Sequence, residues 1–146
     1  MKIQPRQILI VFLAMLAWAA VYVNQEFDFT RLRYNPGQYG QGYIPEGEEW
    51  RFAVNKSIRF FLNDFISLVF IYGLFQSVKY VKVALWVMGF GMFILLPTYL
   101  IFAILYKEEA FNVLTFLHRI TMNPWLMLLL VPAFFYQKME KKAEAN

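Results

Sequence analysis

The stretch VALWVMGFGMFILLPTYLIFAILY, residues 83–106, contains no charged side chain. A helix rises ~1.5 Å per residue, so about 20 apolar residues cross the ~30 Å hydrocarbon core of a bilayer. This block exceeds that length. Backbone in lipid must satisfy its own hydrogen bonds, which excludes loops and open strands and predicts a transmembrane helix. Working outward, three more blocks meet the same test. Residues 8–23 are an unbroken apolar run. Residues 60–75 are interrupted only by Asn63, Asp64 and Ser67, and residues 120–136 contain Asn123, Pro124 and Pro132. The expectation is an all-α integral membrane protein: one polytopic domain over residues 1–146, four transmembrane helices, and a long outer loop, residues 24–57, after the first.

Composition agrees. Of 146 residues, 60% are hydrophobic and 20% aromatic, well above the 45–50% apolar share of soluble domains. The net charge of +4 does not mark a nucleic-acid surface, because the basic residues flank the apolar blocks where orientation signals belong. The chain has no cysteine, which excludes disulfides, thiolate nucleophiles and Cys-ligated metals. It has one histidine, so no His-based metal cluster forms. No metal and no cofactor are expected. HExxH, GxSxG and phosphate-cradling glycine loops are absent.

Basic residues are densest in three short segments: Lys2 and Arg6, then Lys79 and Lys82, then Lys138, Lys141 and Lys142. The loop 24–57 and the connection 107–119 dilute theirs with Glu26, Asp28, Glu46, Glu48, Glu49, Glu108 and Glu109. The positive-inside rule then places both termini in the cytoplasm and the long loop outside. Ala17-Trp18-Ala19 has the spacing of a signal-peptide cleavage site, but the apolar run continues through Val23, which favours an uncleaved anchor.

The outer loop carries Tyr34, Asn35, Pro36, Tyr39, Tyr43 and Trp50 among Gly and Pro turn signals. Aromatics with arginine suit partner docking, and the same rings suit headgroup depth at a membrane surface. Residues 107–119 read as an amphipathic interfacial helix leading into the fourth span. Arg59, Asn63, Asp64, His118, Arg119 and Asn123 are the polar groups in or beside spans. Such groups are costly unless paired, which makes each a functional candidate. For Asp64 the expected partner is Arg59 or Arg119, and the plain alternative is an interfacial helix start with a snorkelling arginine. His118-Arg119 also reads as a positive flank. Gly89-x-Gly91 lacks the GxxxG dimer spacing.

The segments Phe116-Leu117-His118-Arg119-Ile120, Asn123-Pro124 and Val131-Pro132-Ala133-Phe134-Phe135-Tyr136-Gln137 resemble the exosortase F-associated family of small Bacteroidota membrane proteins. Arg33-Tyr34-Asn35-Pro36 is similar to that family's aromatic-Asp-Pro element, and Arg59-Phe60-Phe61-Leu62-Asn63-Asp64 to its Arg-x-x-x-Asn start of the second span. Asn35, where an acidic residue is usual, and the Gly-rich insertion 37–47 point equally to a sister exosortase-associated family. The resemblance implies a non-catalytic accessory whose partner is a membrane protein-sorting transpeptidase, embedded in the lipid bilayer. Two other readings stand beside it. One is a small membrane enzyme or transporter using Arg59, Asn63, Asp64, His118 and Arg119, and the other is a structural subunit of another envelope complex.

Overall fold

A computed structural model describes residues 4–34, 44, 46–106, 111–123 and 125–144. Among the described residues the regular structure is helical apart from one minimal hairpin. Helix α1 (Pro5–Val23) opens with Pro5 in its first turn, where the missing N–H costs nothing. Strands β1 (Phe27–Asp28) and β2 (Arg33–Tyr34) pair antiparallel, Phe27 facing Tyr34 and Asp28 facing Arg33. Helix α2 (Glu49–Phe75) follows, then α3 (Val78–Leu105), α4 (Phe111–Met122) and α5 (Trp125–Glu144).

Among the described residues, α1, α2 and α3 are long and apolar enough to cross a membrane. Their surfaces are compatible with that location: Ile8, Leu9, Phe12, Leu13 and Leu16 on α1 are exposed, as are Leu85, Trp86, Phe90, Phe93 and Ile101 on α3. Large apolar patches of this kind are rare on soluble monomers.

Helix α2 packs against every other helix, most extensively against α1. Gly73 permits that approach, since a Cβ there would lie 2.8 Å from Ile10 Cγ2 and 3.1 Å from Val11 Cγ2. Trp18 adds a second joint, its ring 5.0 Å from that of Phe70. The core has two clusters. At the hairpin-bearing end, called the cap end below, Phe52, Phe60, Leu96, Tyr99, Ala103, Leu114 and Met122 pack with Ile44. At the opposite end Ile71, Phe75, Ala84 and Phe134 meet. There Phe75 lies 4.9 Å from Tyr80, 5.6 Å from Phe134 and 4.8 Å from Phe135, centroid to centroid. The paired phenylalanines of the C-terminal motif thus clamp α5 onto the α2–α3 turn. That turn is made by Gln76 in the left-handed region (φ 48°), its N–H donating to the Tyr72 carbonyl at 2.8 Å.

Four features differ from the sequence expectation. The helix holding the second span begins at Glu49, so the expected loop 24–57 includes a hairpin and more than two helical turns. Phe52, Asn55, Lys56 and Phe60 are its buried positions there, a helical i, i+3, i+4 pattern that two polar members hide from hydropathy. The third span contains a π-helical turn, Gly91–Leu95, just before Pro97. Proline removes an N–H and crowds the carbonyl four residues back, and a π-turn absorbs that misfit.

The last stretch is broken. Helix α4 is amphipathic: it lies beside the cap half of α3, burying Leu114, Thr121 and Met122 while Asn112 and Arg119 stay exposed. It stops at Asn123 before Pro124, which has no N–H for a helical bond. The final carbonyls of α4 need other donors. Asn63 Nδ2 donates to the Met122 carbonyl at 2.7 Å, and Asn123 Nδ2 to the Arg119 carbonyl at 3.1 Å. Helix α5 then continues to the opposite end, and its last turns make the expected charged tail helical as far as Glu144.

Candidate functional site at the cap end

The cap is built on Asn55. This side chain is buried, and each of its polar atoms is committed. Its Oδ1 accepts from the Phe29 N–H at 2.7 Å, while Nδ2 donates to Asp28 Oδ1 and to the Arg51 carbonyl, both at 2.9 Å. Asp28, only 1% exposed, also accepts from the Thr30 N–H at 2.9 Å and the Thr30 hydroxyl at 2.6 Å. Burial alone would raise the Asp28 pKa. The hydrogen bonds from Thr30 and Asn55 outweigh it and hold the carboxyl below its ordinary value. Arg59 Nη2 donates to the Phe27 carbonyl at 3.0 Å. Arg31 and Arg51 both pair with Glu48 at the start of α2. Arg31 to Arg59 thus tie the hairpin to the first three turns of α2.

Above this anchorage the hairpin presents a face. Leu32, at φ 50°, is among the most exposed apolar residues. Tyr34 is 53% exposed, with its ring against Phe27 at 5.7 Å and its hydroxyl bonded to Asn24. Trp50 is 58% exposed with the Arg51 guanidinium 5.2 Å from its ring centroid. Asn35, Pro36, Tyr39 and Tyr43, expected with Tyr34 and Trp50 to form a docking loop, lie outside the described residues.

Beneath the hairpin sits a group that sequence reasoning reached only in part. Lys56, Arg59, Tyr99 and His118 come together from α2, α3 and α4. His118 Nδ1 lies 3.0 Å from the Tyr99 hydroxyl, and their rings are 5.5 Å apart. Tyr99 also packs 6.2 Å from the Phe52 ring, and Lys56 Nζ lies 5.3 Å from that same ring. His118 also faces the positive charges of Lys56 and Arg59. Arg59 and His118 were expected candidates. Lys56 and Tyr99 were not, because a lysine in an apparent loop reads as solvated and a tyrosine in an apolar span reads as core.

The other polar candidates go elsewhere. Asn63 caps the α4 break, and its own carbonyl receives the Trp18 indole N–H at 3.4 Å and the Ser67 hydroxyl at 2.7 Å. Asp64 is buried beside the π-turn: a Cβ on Gly91 would lie 4.0 Å from Asp64 Oδ2. The expected ion pair of Asp64 with Arg59 or Arg119 is not formed. Arg59 turns to the hairpin, and Arg119 is exposed and lends its carbonyl to Asn123. Asn63 and Asp64 are adjacent, so their side chains leave the helix ~100° apart and serve different neighbours. The six candidates therefore do not form one site: Arg59 lies near His118, Asn63, Arg119 and Asn123 meet at the end of α4, and Asp64 stands apart beside the π-turn. Among the described residues no group of His, Asp and Glu has the arrangement of a metal site. Comparison of the chain with family models, with characterised proteins and with solved structures gave no match in any of the three.

Proposed function

We propose that this chain is a polytopic inner-membrane accessory that crosses the bilayer four times and holds a rigid cap against a membrane partner. The fourth crossing is the broken pair α4–α5, with both termini cytoplasmic and the cap outside, as the distribution of Lys and Arg favours. Discontinuous helices are tolerated at membrane depth where protein side chains satisfy the freed backbone groups, the role of Asn63 here. The observation that carries the functional reading is the cap itself. Buried, fully bonded Asn55 fixes a two-strand hairpin to α2, while Leu32, Tyr34 and Trp50 remain exposed beside Arg51. Exposed aromatics with arginine on a fixed support are the composition of an interface anchor. The motif residues that resemble the exosortase-associated families favour, as the partner class, a protein-sorting transpeptidase with a cysteine nucleophile.

A photo-crosslinking amino acid at Trp50, used in native membranes, tests this directly. The expected adduct is with a polytopic protein carrying that nucleophile, and Leu32→Ala with Tyr34→Ala should reduce its yield severalfold at unchanged protein level. Adducts confined to lipid, or to a second copy of this chain, would remove the docking reading.

A further inference from the structure

Lys56 is 7% exposed, a low value for a lysine, and its stem packs inside the protein. Buried charges are ordinarily paired or hydrogen-bonded. Among the described residues, no carboxylate lies within ion-pair distance of Lys56, and the contact its Nζ makes is with the Phe52 ring. Three residues along the same helix face, Arg59 spends one N–H on the Phe27 carbonyl, and its buried Nε has no acceptor. The negative charges of Asp28 and Glu26 bear on Arg59, and Asp28 Oδ2 is itself buried without a donor. Among the described residues no acid bears on Lys56. Within that set one cation is therefore offset and the other is left over.

The Tyr99–His118 pair adds a donor whichever tautomer it adopts. If the Tyr99 hydroxyl donates to Nδ1, the His118 Nε2–H is left over. If Nδ1–H donates, the tyrosine hydroxyl proton is left over. Three helices thus supply an ammonium, a guanidinium N–H and one neutral donor in a low-dielectric setting, with one positive charge in excess. Charge-assisted hydrogen bonds are strongest in such surroundings.

We propose that Lys56, Arg59, Tyr99 and His118 form a binding site for one oxyanion of the phosphate class, either free or carried as a lipid headgroup. Several oxygens on one centre meet donors arriving from three helices, and a dianion or monoanion neutralises the excess charge. This site is independent of the docking reading above, since it lies beneath the hairpin and uses none of Leu32, Tyr34 or Trp50.

The single histidine makes the test clean, because its ring resonances in the full-length protein report on this site alone. In dodecyl maltoside, which carries no phosphate, inorganic phosphate and dihexanoyl phosphatidic acid are titrated against ¹³C,¹⁵N-histidine-labelled protein, with dihexanoylglycerol as the phosphate-free lipid. A saturable shift of the His118 resonances is expected. A response to inorganic phosphate identifies a free-anion site. A response to the phosphatidic acid, with none to inorganic phosphate or dihexanoylglycerol, identifies a headgroup site. Lys56→Met should weaken the responding probe at least tenfold, Lys56→Arg should restore most of the affinity, and Lys79→Met, at an exposed lysine, should change nothing. Lys56→Met keeps the length of a packed side chain while removing its charge, so it is expected to fold. An unmoved His118 signal with every probe, or wild-type affinity in Lys56→Met, would overturn the proposal.

Discussion

Asn55→Ala should detach the cap hairpin. Asn55 is 2% exposed and makes three hydrogen bonds, to Phe29, Asp28 and Arg51. Truncation strands the Phe29 N–H and withdraws a donor from a carboxylate already lacking a partner on Oδ2. Each buried group left unpaired costs about 1–3 kcal/mol, and a charged one more, so the local loss is about 3–5 kcal/mol. That is enough to open a two-residue pairing that no longer has a fixed support. The expected measurement is rapid proteolytic cleavage between Thr30 and Tyr34 in Asn55→Ala and none in the wild type, with the helical circular dichroism nearly unchanged. Equal protection in both would mean that the Arg31–Glu48 and Arg59–Phe27 links hold the hairpin alone.

The second large effect is expected at Gly73→Val. The added Cβ would meet Ile10 Cγ2 at 2.8 Å and Ile10 Cβ at 3.3 Å. The methyl is close to the helix backbone and cannot swing away, so α1 must shift outward. Overpacking of this kind costs about 1–3 kcal/mol, more where the backbone moves. It falls on the most extensive helix pair in the fold. The thermal midpoint should drop by several degrees, and Ile10→Ala in the same chain should recover part of the loss through a favourable coupling. Strictly additive changes would show that α1 and α2 do not meet at this glycine.

Much of the fold was legible in the apolar blocks, and the reasons for the remainder are specific. Residues 8–23, 60–75 and 83–105 each lie in a helix, the form that an apolar run takes when its backbone must satisfy its own hydrogen bonds. The early start of α2 was hidden because Asn55 and Lys56 are polar yet buried, and hydropathy assigns such residues to water. Spacing held the missing signal: Phe52, Lys56, Arg59, Phe60 and Asn63 recur at three and four. Pro124 was visible as a break, but Asn63 as its cap was not, since Asn63 lies 59 residues in sequence from Met122, whose carbonyl it caps. Asp64 was read as one half of an ion pair, whereas the helix turn aims it at Gly91. The same helix geometry delivers Arg59 to the hairpin, which no linear pattern announced.

The proposed topology has four membrane crossings with the cap outside. The absence of native cysteine allows single-cysteine labelling without background. Leu32→Cys on the cap, Ser77→Cys in the α2–α3 turn and Met139→Cys near the end of α5 are each treated with a membrane-impermeant maleimide, before and after permeabilisation. Leu32→Cys should label in intact spheroplasts, and Ser77→Cys and Met139→Cys only once the membrane is opened. Labelling of Met139→Cys from the same side as Leu32→Cys would show that α4 and α5 do not cross, and would contradict the account.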